Sequence, residues 1–254
     1  MDIDYSKMTI RQIEICNRLR KLRLSAMANE LAMQFSNPNT ELTPFIDRID
    51  AIVGSETQLR ADNKFQKLLR NATLKYPSAS FDERLRRPDR MIDLQFIDRL
   101  CECSWVRDAK ILSITGATGT GKSHIACALG ICAMQKGYTV KYFFTSTLIN
   151  ELMKASATNT IVEYLNWVCA FDLLIIDDFG YSDEGQTKKK PLNYHRLFQI
   201  LNTTEKHKAT IIAAQIPRPD WYDLFRNDTY ADACMDRIVK GNLLLELTGA
   251  SQRG

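Results

Sequence analysis

Residues 116–123 read Gly116-Ala117-Thr118-Gly119-Thr120-Gly121-Lys122-Ser123, and no other stretch of the chain constrains its fold as tightly. The octapeptide satisfies G-x-x-x-x-G-K-[ST] in full. It follows a short β-rich run at 111–115 and opens an apolar helical pattern that reaches residue 135. Each residue type has its own physical task. Glycines let the backbone curl so that successive N–H groups point inward at phosphate oxygens. Lys122 supplies a point charge for the β- and γ-phosphates, and the Ser123 hydroxyl is a ligand for Mg²⁺. A helix opening at Lys122 adds the positive end of its dipole. His124 continues that helix, as a packing or supporting residue beside the loop. The segment predicts a nucleotide site that takes ATP with Mg²⁺.

A loop of this kind needs a strand before it and a helix after it, and the texture beyond residue 90 agrees. TVKYFF at 139–144 reads as the next strand, and 147–168 reads as helix with a break near Asn159. DLLII at 172–176 and TIIAA at 210–214 are continuous apolar runs, the pattern of strands buried on both faces of a parallel sheet. Helical stretches at about 192–206, 219–226 and 229–240 lead to a last strand, LLLEL, at 243–247. Strands alternating with helices predict an α/β domain with a parallel sheet covered by helices, spanning 77–254. Trp167 and Trp221 are expected in its core.

The run Leu173-Leu174-Ile175-Ile176 ends in Asp177-Asp178. A buried strand that delivers carboxylates at its C-terminal end fits a nucleotide site, because ligands of open parallel sheets sit at that edge. Asp177 is expected to hold Mg²⁺, directly or through water. Asp178, expected one residue beyond the strand, either polarises the attacking water or begins a turn before Phe179-Gly180.

Residues 1–76 differ in character. Apolar residues recur at helical spacing from Ile13 to Phe35, with Thr9 as a plausible N-cap, and a second helical run follows from Pro44 to about Leu74. The net charge of +4 is unevenly spread. Residues 7–23 carry Lys7, Arg11, Arg18, Arg20, Lys21 and Arg23 against Glu14 alone, and residues 60–90 are also basic, leaving the rest of the chain at −6. Such clusters suit either a polyanion or solvated helix faces. The region is expected to be a small, basic, all-helical adaptor. With 254 residues, 45% of them hydrophobic and 25% charged, the chain is neither a disordered tail nor a disulfide miniature. Seven cysteines, no apolar leader in MDIDYSKMTI and no run near 20 apolar residues point to a reduced cytoplasmic protein without a membrane span. The lone Cys101-x-Cys103 lacks the partner pair that zinc requires.

Three stretches together, GATGTGKSHIACALG, LLIIDDFGY and DACMDRI…LTGASQR, resemble the IstB-like AAA+ ATPases, transposition helpers encoded beside a transposase in bacterial insertion sequences. RLRKLRLSAMANELAMQF is similar to the helical domain that precedes the ATPase in that family, so the resemblance covers roughly residues 17–253. The ATPase part also resembles the DnaC-type helicase loaders. The resemblance implies ATP hydrolysis at sites shared between subunits of a homo-oligomer, with duplex DNA and a cognate transposase as partners. By position, Gln215 stands where the family usually has an asparagine that helps place the lytic water. Arg237 matches the arginine finger, the alternative being an ion pair with Asp236 or Asp232, and Arg253 matches a second sensor arginine. Asp178 is one methylene shorter than the family's frequent glutamate, and Gln215 is one longer than its asparagine. Both changes alter reach toward one water and imply slow, assembly-coupled hydrolysis.

Lys188, Lys189 and Lys190, in a polar stretch after the acidic motif, and Arg18, Arg20, Lys21 and Arg23 are the candidate DNA contacts. No base-reading motif is present, so such contacts would be with the backbone. A replicative helicase loader is the nearest rival function, and a small-molecule kinase built on the same loop is the rival from another class.

Overall fold

The computed structural model describes residues 5–81, 93–180, 208–224, 232, 235, 236, 238, 239 and 243–248. The chain divides into two compact units, Met1–Lys67 and Leu68–Gly254.

The first unit is helical. Helix α1 spans Ile10–Lys21, α2 spans Ser25–Ser36 and α3 begins at Phe45 and ends at Ala72. The periodic run from Ile13 to Phe35 is therefore two helices and not one. The chain reverses at residues 22–24, where Arg23 takes a left-handed φ of 61° and the Leu24 amide donates to Leu19 O at 3.0 Å. The reversal folds one apolar stripe onto another: Cys16, Ala28 and Ala32 are fully buried and Ile13, Leu19, Leu31 and Phe35 close over them. Helix α1 starts on a capping box, with Thr9 and Gln12 bonded reciprocally between side chain and backbone at 2.8 and 3.3 Å. Helix α2 follows Leu24, whose apolar side chain cannot cap it. Glu56, contributed by α3, accepts from the Ala26 and Met27 amides at 3.1 and 3.4 Å instead.

The second unit carries a five-stranded, wholly parallel sheet in the order β2-β3-β4-β1-β5. The strands are β1 Ile111–Gly116, β2 Val140–Phe144, β3 Leu173–Phe179, β4 Ala209–Ala214 and β5 Leu243–Leu247. Helices α4 (Leu94–Cys101) and α5 (Ser104–Arg107) precede β1, α6 (Lys122–Gln135) joins β1 to β2, and α7 (Thr145–Ala157) and α8 (Ile161–Val168) join β2 to β3. Every residue of β4 is buried, as its apolar run requires of a central strand covered on both faces. Helix α6 lies close to the sheet because Gly130 has no side chain: a Cβ there would sit 2.9 Å from Ile175 Cδ1 and 3.4 Å from Val140 Cγ1.

Because all strands run the same way, their starts share one edge and their ends the other. At the starting edge Asp172 works as a clasp. Its Oδ2 accepts from the Thr139 amide and hydroxyl at 2.8 and 2.7 Å, and Lys208 Nζ lies 3.6 Å from Oδ1. Trp221 is buried, as expected, with its ring 4.7 Å from that of Phe179. Trp167 is a correction: it remains 43% exposed, at the end of α8, with its ring against Tyr164, Phe171 and the buried Phe143 of β2. The expected helix at 192–206 lies outside the described residues.

Candidate functional site

The finishing edge of the sheet gathers several of the candidate side chains. Strand β1 ends at Gly116, and Gly116, Gly119 and Gly121 take φ values of 151°, 83° and 92°, a conformation that side chains disfavour. At Gly116 the requirement is also steric, since a Cβ would stand 2.4 Å from the carbonyl oxygen of Leu247 on β5. The loop then closes on itself. Thr120 Oγ1 donates to Ala117 O at 2.9 Å, and Lys122 Nζ donates to Gly116 O and Ala117 O at 2.8 Å each. Lys122 is nearly fully buried, so its charge is held within the loop by these carbonyls. Helix α6 begins at Lys122 after Gly121, bringing Ser123 and His124 into its first turn. The His124 ring lies 5.9 Å from that of Tyr76.

Strand β4 lies between β1 and β3, so whatever follows it meets the loop. Gln215, one residue past β4, accepts a 2.8 Å hydrogen bond at Oε1 from the hydroxyl of Thr118. The two residues are 97 apart in the chain. The sequence places both residues at the nucleotide but does not pair them with each other.

Strand β3 carries the acids, and its end is irregular. Asp178 lies within the strand, not beyond it: β3 runs to Phe179, and its pairing with β4 shifts register between Ile176 and Phe179. Asp178 itself has φ of 55°. A bulge of this kind re-aims a side chain at the end of a strand, and a non-glycine residue in the left-handed region stores about 1–3 kcal/mol. Asp178 thus has a strained backbone at the irregular end of β3, just before the turn at Gly180.

Asp177 is fully buried. Its Oδ2 accepts from the Tyr142 hydroxyl at 2.5 Å, and Lys75 Nζ lies 3.8 Å away. Burial, and then the neighbouring Asp177 carboxylate, push the Tyr142 phenol well above the ordinary tyrosine value, so it stays protonated and donates. The backbone carbonyl of Asp177 accepts from Thr145 Oγ1 at 2.8 Å. Among the described residues, Asp177 Oδ1 has no hydrogen-bond partner. A buried anionic oxygen without a donor is costly unless a cation satisfies it. A carboxylate oxygen and a serine hydroxyl are the hard ligands Mg²⁺ prefers, so Asp177 and Ser123 suit that ion. Tyr142, Thr145 and Lys75 escaped the sequence reading. For Tyr142 the signal was a polar tip in the middle of an apolar strand; for Lys75 there was none.

Arg18 and Lys21 are exposed, whereas Arg20 bonds Asn17 and Asn29 at 3.2 and 3.3 Å and fastens α1 to α2. Arg23, exposed, occupies the turn between those helices. Arg237, Arg253 and Lys188, Lys189 and Lys190 lie outside the described residues.

A parallel sheet in this order, with a glycine loop after β1, acids at the end of β3 and a polar side chain after the intervening β4, defines an AAA+ phosphate-loop NTPase preceded by a helical region. The fold is shared with the DnaC helicase loader, at a TM-score of 0.52 and 21% identity over 71% of this chain and 98% of that one. It is shared also with a primosome component from Streptococcus pyogenes, at 0.53 and 17% over 73% and 97%. The chain belongs to the IstB-like ATP binding protein family, whose model matches residues 17–254. Among its relatives, the insertion sequence ATP-binding protein y4uH of Sinorhizobium fredii is 30% identical over 93% of each chain. The ATP-binding protein of insertion sequence IS1162 from Pseudomonas fluorescens is 31% identical over 79% of this chain and 85% of that one.

Proposed function

We propose that the chain is an ATP-hydrolysing transposition helper that assembles on duplex DNA as a homo-oligomer and recruits or activates a cognate transposase. The observation that carries the hydrolytic part is the Thr118–Gln215 hydrogen bond, which ties the β1–α6 loop to the end of β4 beside the acids of β3. The insertion-sequence relatives, similar over 93% and 79% of the chain, support the transposition part.

In this reading the loop amides of residues 116–121 and Lys122 bind the triphosphate, Lys122 exchanging loop carbonyls for phosphate oxygens. Mg²⁺, held by Ser123 and Asp177, would supply positive charge to the β- and γ-phosphates. Asp178 accepts a proton from, or orients, the attacking water at the γ-phosphorus. Gln215, itself oriented by Thr118, holds that water from the other side. Arg237 of a neighbouring subunit supplies the charge for the transition state, an effect worth about 10³–10⁵ in rate, and Arg253 senses the bound state. The shorter acid and longer amide set a non-standard geometry around the water, so turnover is slow and times the assembly.

The test is sizing by light scattering or electron microscopy with long duplex DNA. A large complex is expected with a slow ATP analogue and a smaller one with ADP. A particle that stays small and unbound under both conditions contradicts the proposal and returns the kinase reading. Fast, DNA-stimulated turnover of the kind seen in motor ATPases contradicts the timing role. A helicase loader would share the ATPase, and a transposase reading frame beside the gene separates the two.

A further inference from the structure

The segment that follows α3 packs along the nucleotide helix. Leu74 and Ala79 are buried, Leu74 Cδ2 lies 3.7 Å from where a Cβ of Gly130 would be, and the backbone of Lys75 and Tyr76 borders the Cys127 thiol of α6. This packing delivers one cation to a half-buried place beside a buried carboxylate. Lys75 Nζ stands 3.8 Å from Asp177 Oδ2, 5.0 Å from the Phe144 ring centre and 5.7 Å from that of Tyr76. Only 26% of the Lys75 side chain is exposed, against none of Asp177. Two aromatic faces and a carboxylate make a fitted seat for an ammonium group. The two oxygens of the carboxylate are thus used differently: Oδ2 takes Tyr142 and Lys75, and Oδ1 takes no donor among the described residues.

We propose that Lys75 is an internal counter-cation of the metal-binding carboxylate, which lowers the affinity of the site for Mg²⁺ and so sets the Mg²⁺ concentration at which nucleotide is held in its metal-bound form. The inference rests on the nucleotide reading above. Two cations that share one buried carboxylate repel each other, and burial keeps water from screening them. With Lys75 seated, the Asp177–Lys75 pair carries little net charge and Mg²⁺ is bound weakly. When Mg²⁺ is bound, the ammonium is held less firmly. Lys75 does not touch substrate in this account; it acts through Asp177 and is a positioning residue.

The experiment is fluorescence binding of a labelled ATP analogue to the full chain, first in EDTA and then along a Mg²⁺ titration. Lys75→Met keeps the length of the side chain and removes its charge. It is expected to lower the Mg²⁺ midpoint about three- to tenfold and leave the affinity in EDTA within about twofold of wild type. Lys75→Arg is expected to restore the wild-type midpoint, which a purely packing role would not do. Lys75→Gln is a second neutral variant should the methionine disturb packing, and is expected to behave like it. An unchanged or raised midpoint in the neutral variants overturns the proposal. So does a large loss of affinity in EDTA, which would make Lys75 a phosphate contact. Absence of analogue binding by the wild type would instead overturn the nucleotide reading on which the proposal stands.

Discussion

Gly116 and Gly130 show how much one missing methyl group decides. At Gly116 both the left-handed backbone and the Leu247 carbonyl, 2.4 Å from a built Cβ, oppose any side chain. Gly116→Ala is expected to destabilise the second unit by about 2–3 kcal/mol and to weaken nucleotide binding, checked by denaturant unfolding and by titration. At Gly130 the nearest atom is the end of the flexible Ile175 side chain, 2.9 Å away, and the position is helical. Alanine gains about 1 kcal/mol of helix propensity there, so Gly130→Ala should fall within about 1 kcal/mol of wild type in the same unfolding measurement. Similar mutations, unlike outcomes, decided by whether backbone or a side-chain tip must move. The motif glycines were legible because G-x-x-x-x-G-K-[ST] states its geometry outright. The bulge at Asp178, the Tyr142 donor on Asp177 and the approach of Lys75 were not. Each depends on which strand or segment lies alongside, and nothing within a few residues encodes that.

Among the elements, buried parallel strands were the most legible, since a strand covered on both faces must be apolar throughout. That holds for residues 173–176 of β3 and 211–214 of β4, and the break at Asn159 appears as a left-handed residue between α7 and α8 with φ of 57°. The joint at 22–24 was hidden because both helices share one apolar period across it. Helices α4 and α5 escaped the sequence reading, although Asp93 caps α4 at the Phe96 amide and Ile97 and Leu100 form its buried stripe. The strand-starting edge carries a pH-dependent clasp. Burial works against the charge of Asp172, but the Thr139 amide and hydroxyl and Lys208 outweigh it and hold its carboxyl below the ordinary value. A depressed folded value means stability that is full above the unfolded pKa, about 4, and lost as pH falls through the lower folded one. Asp172→Asn should therefore lower the thermal midpoint at pH 7 and flatten its fall below about pH 4. An acid limb as steep as that of wild type would show that the clasp contributes nothing.

For the whole molecule, charge and division belong together. The helical unit Met1–Lys67 holds the basic run from Lys7 to Arg23, with Arg18, Lys21 and Arg23 exposed, whereas the second unit holds the acids of the site. Part of that positive charge has a structural use, since Arg18, Arg20 and Lys21 lie in the last turn of α1, where they oppose the helix dipole. No helix among the described residues is long and apolar enough to cross a membrane. Replacing Lys188, Lys189 and Lys190 by alanine is expected to lower affinity for duplex DNA and reduce its salt dependence, leaving ATP binding untouched. Unchanged affinity at physiological salt would remove that stretch from the DNA surface.

The central claim is that the β1–α6 loop, the acids of β3 and Gln215 form one hydrolytic site, in which Asp178 acts on water and not on binding. Parallel measurement of ATP affinity and single-turnover hydrolysis in the wild type, Lys122→Ala and Asp178→Asn tests it most directly. The account predicts lost binding for Lys122→Ala, and for Asp178→Asn near-normal binding with hydrolysis reduced about 10²-fold or more. Hydrolysis at the wild-type rate by Asp178→Asn would contradict it.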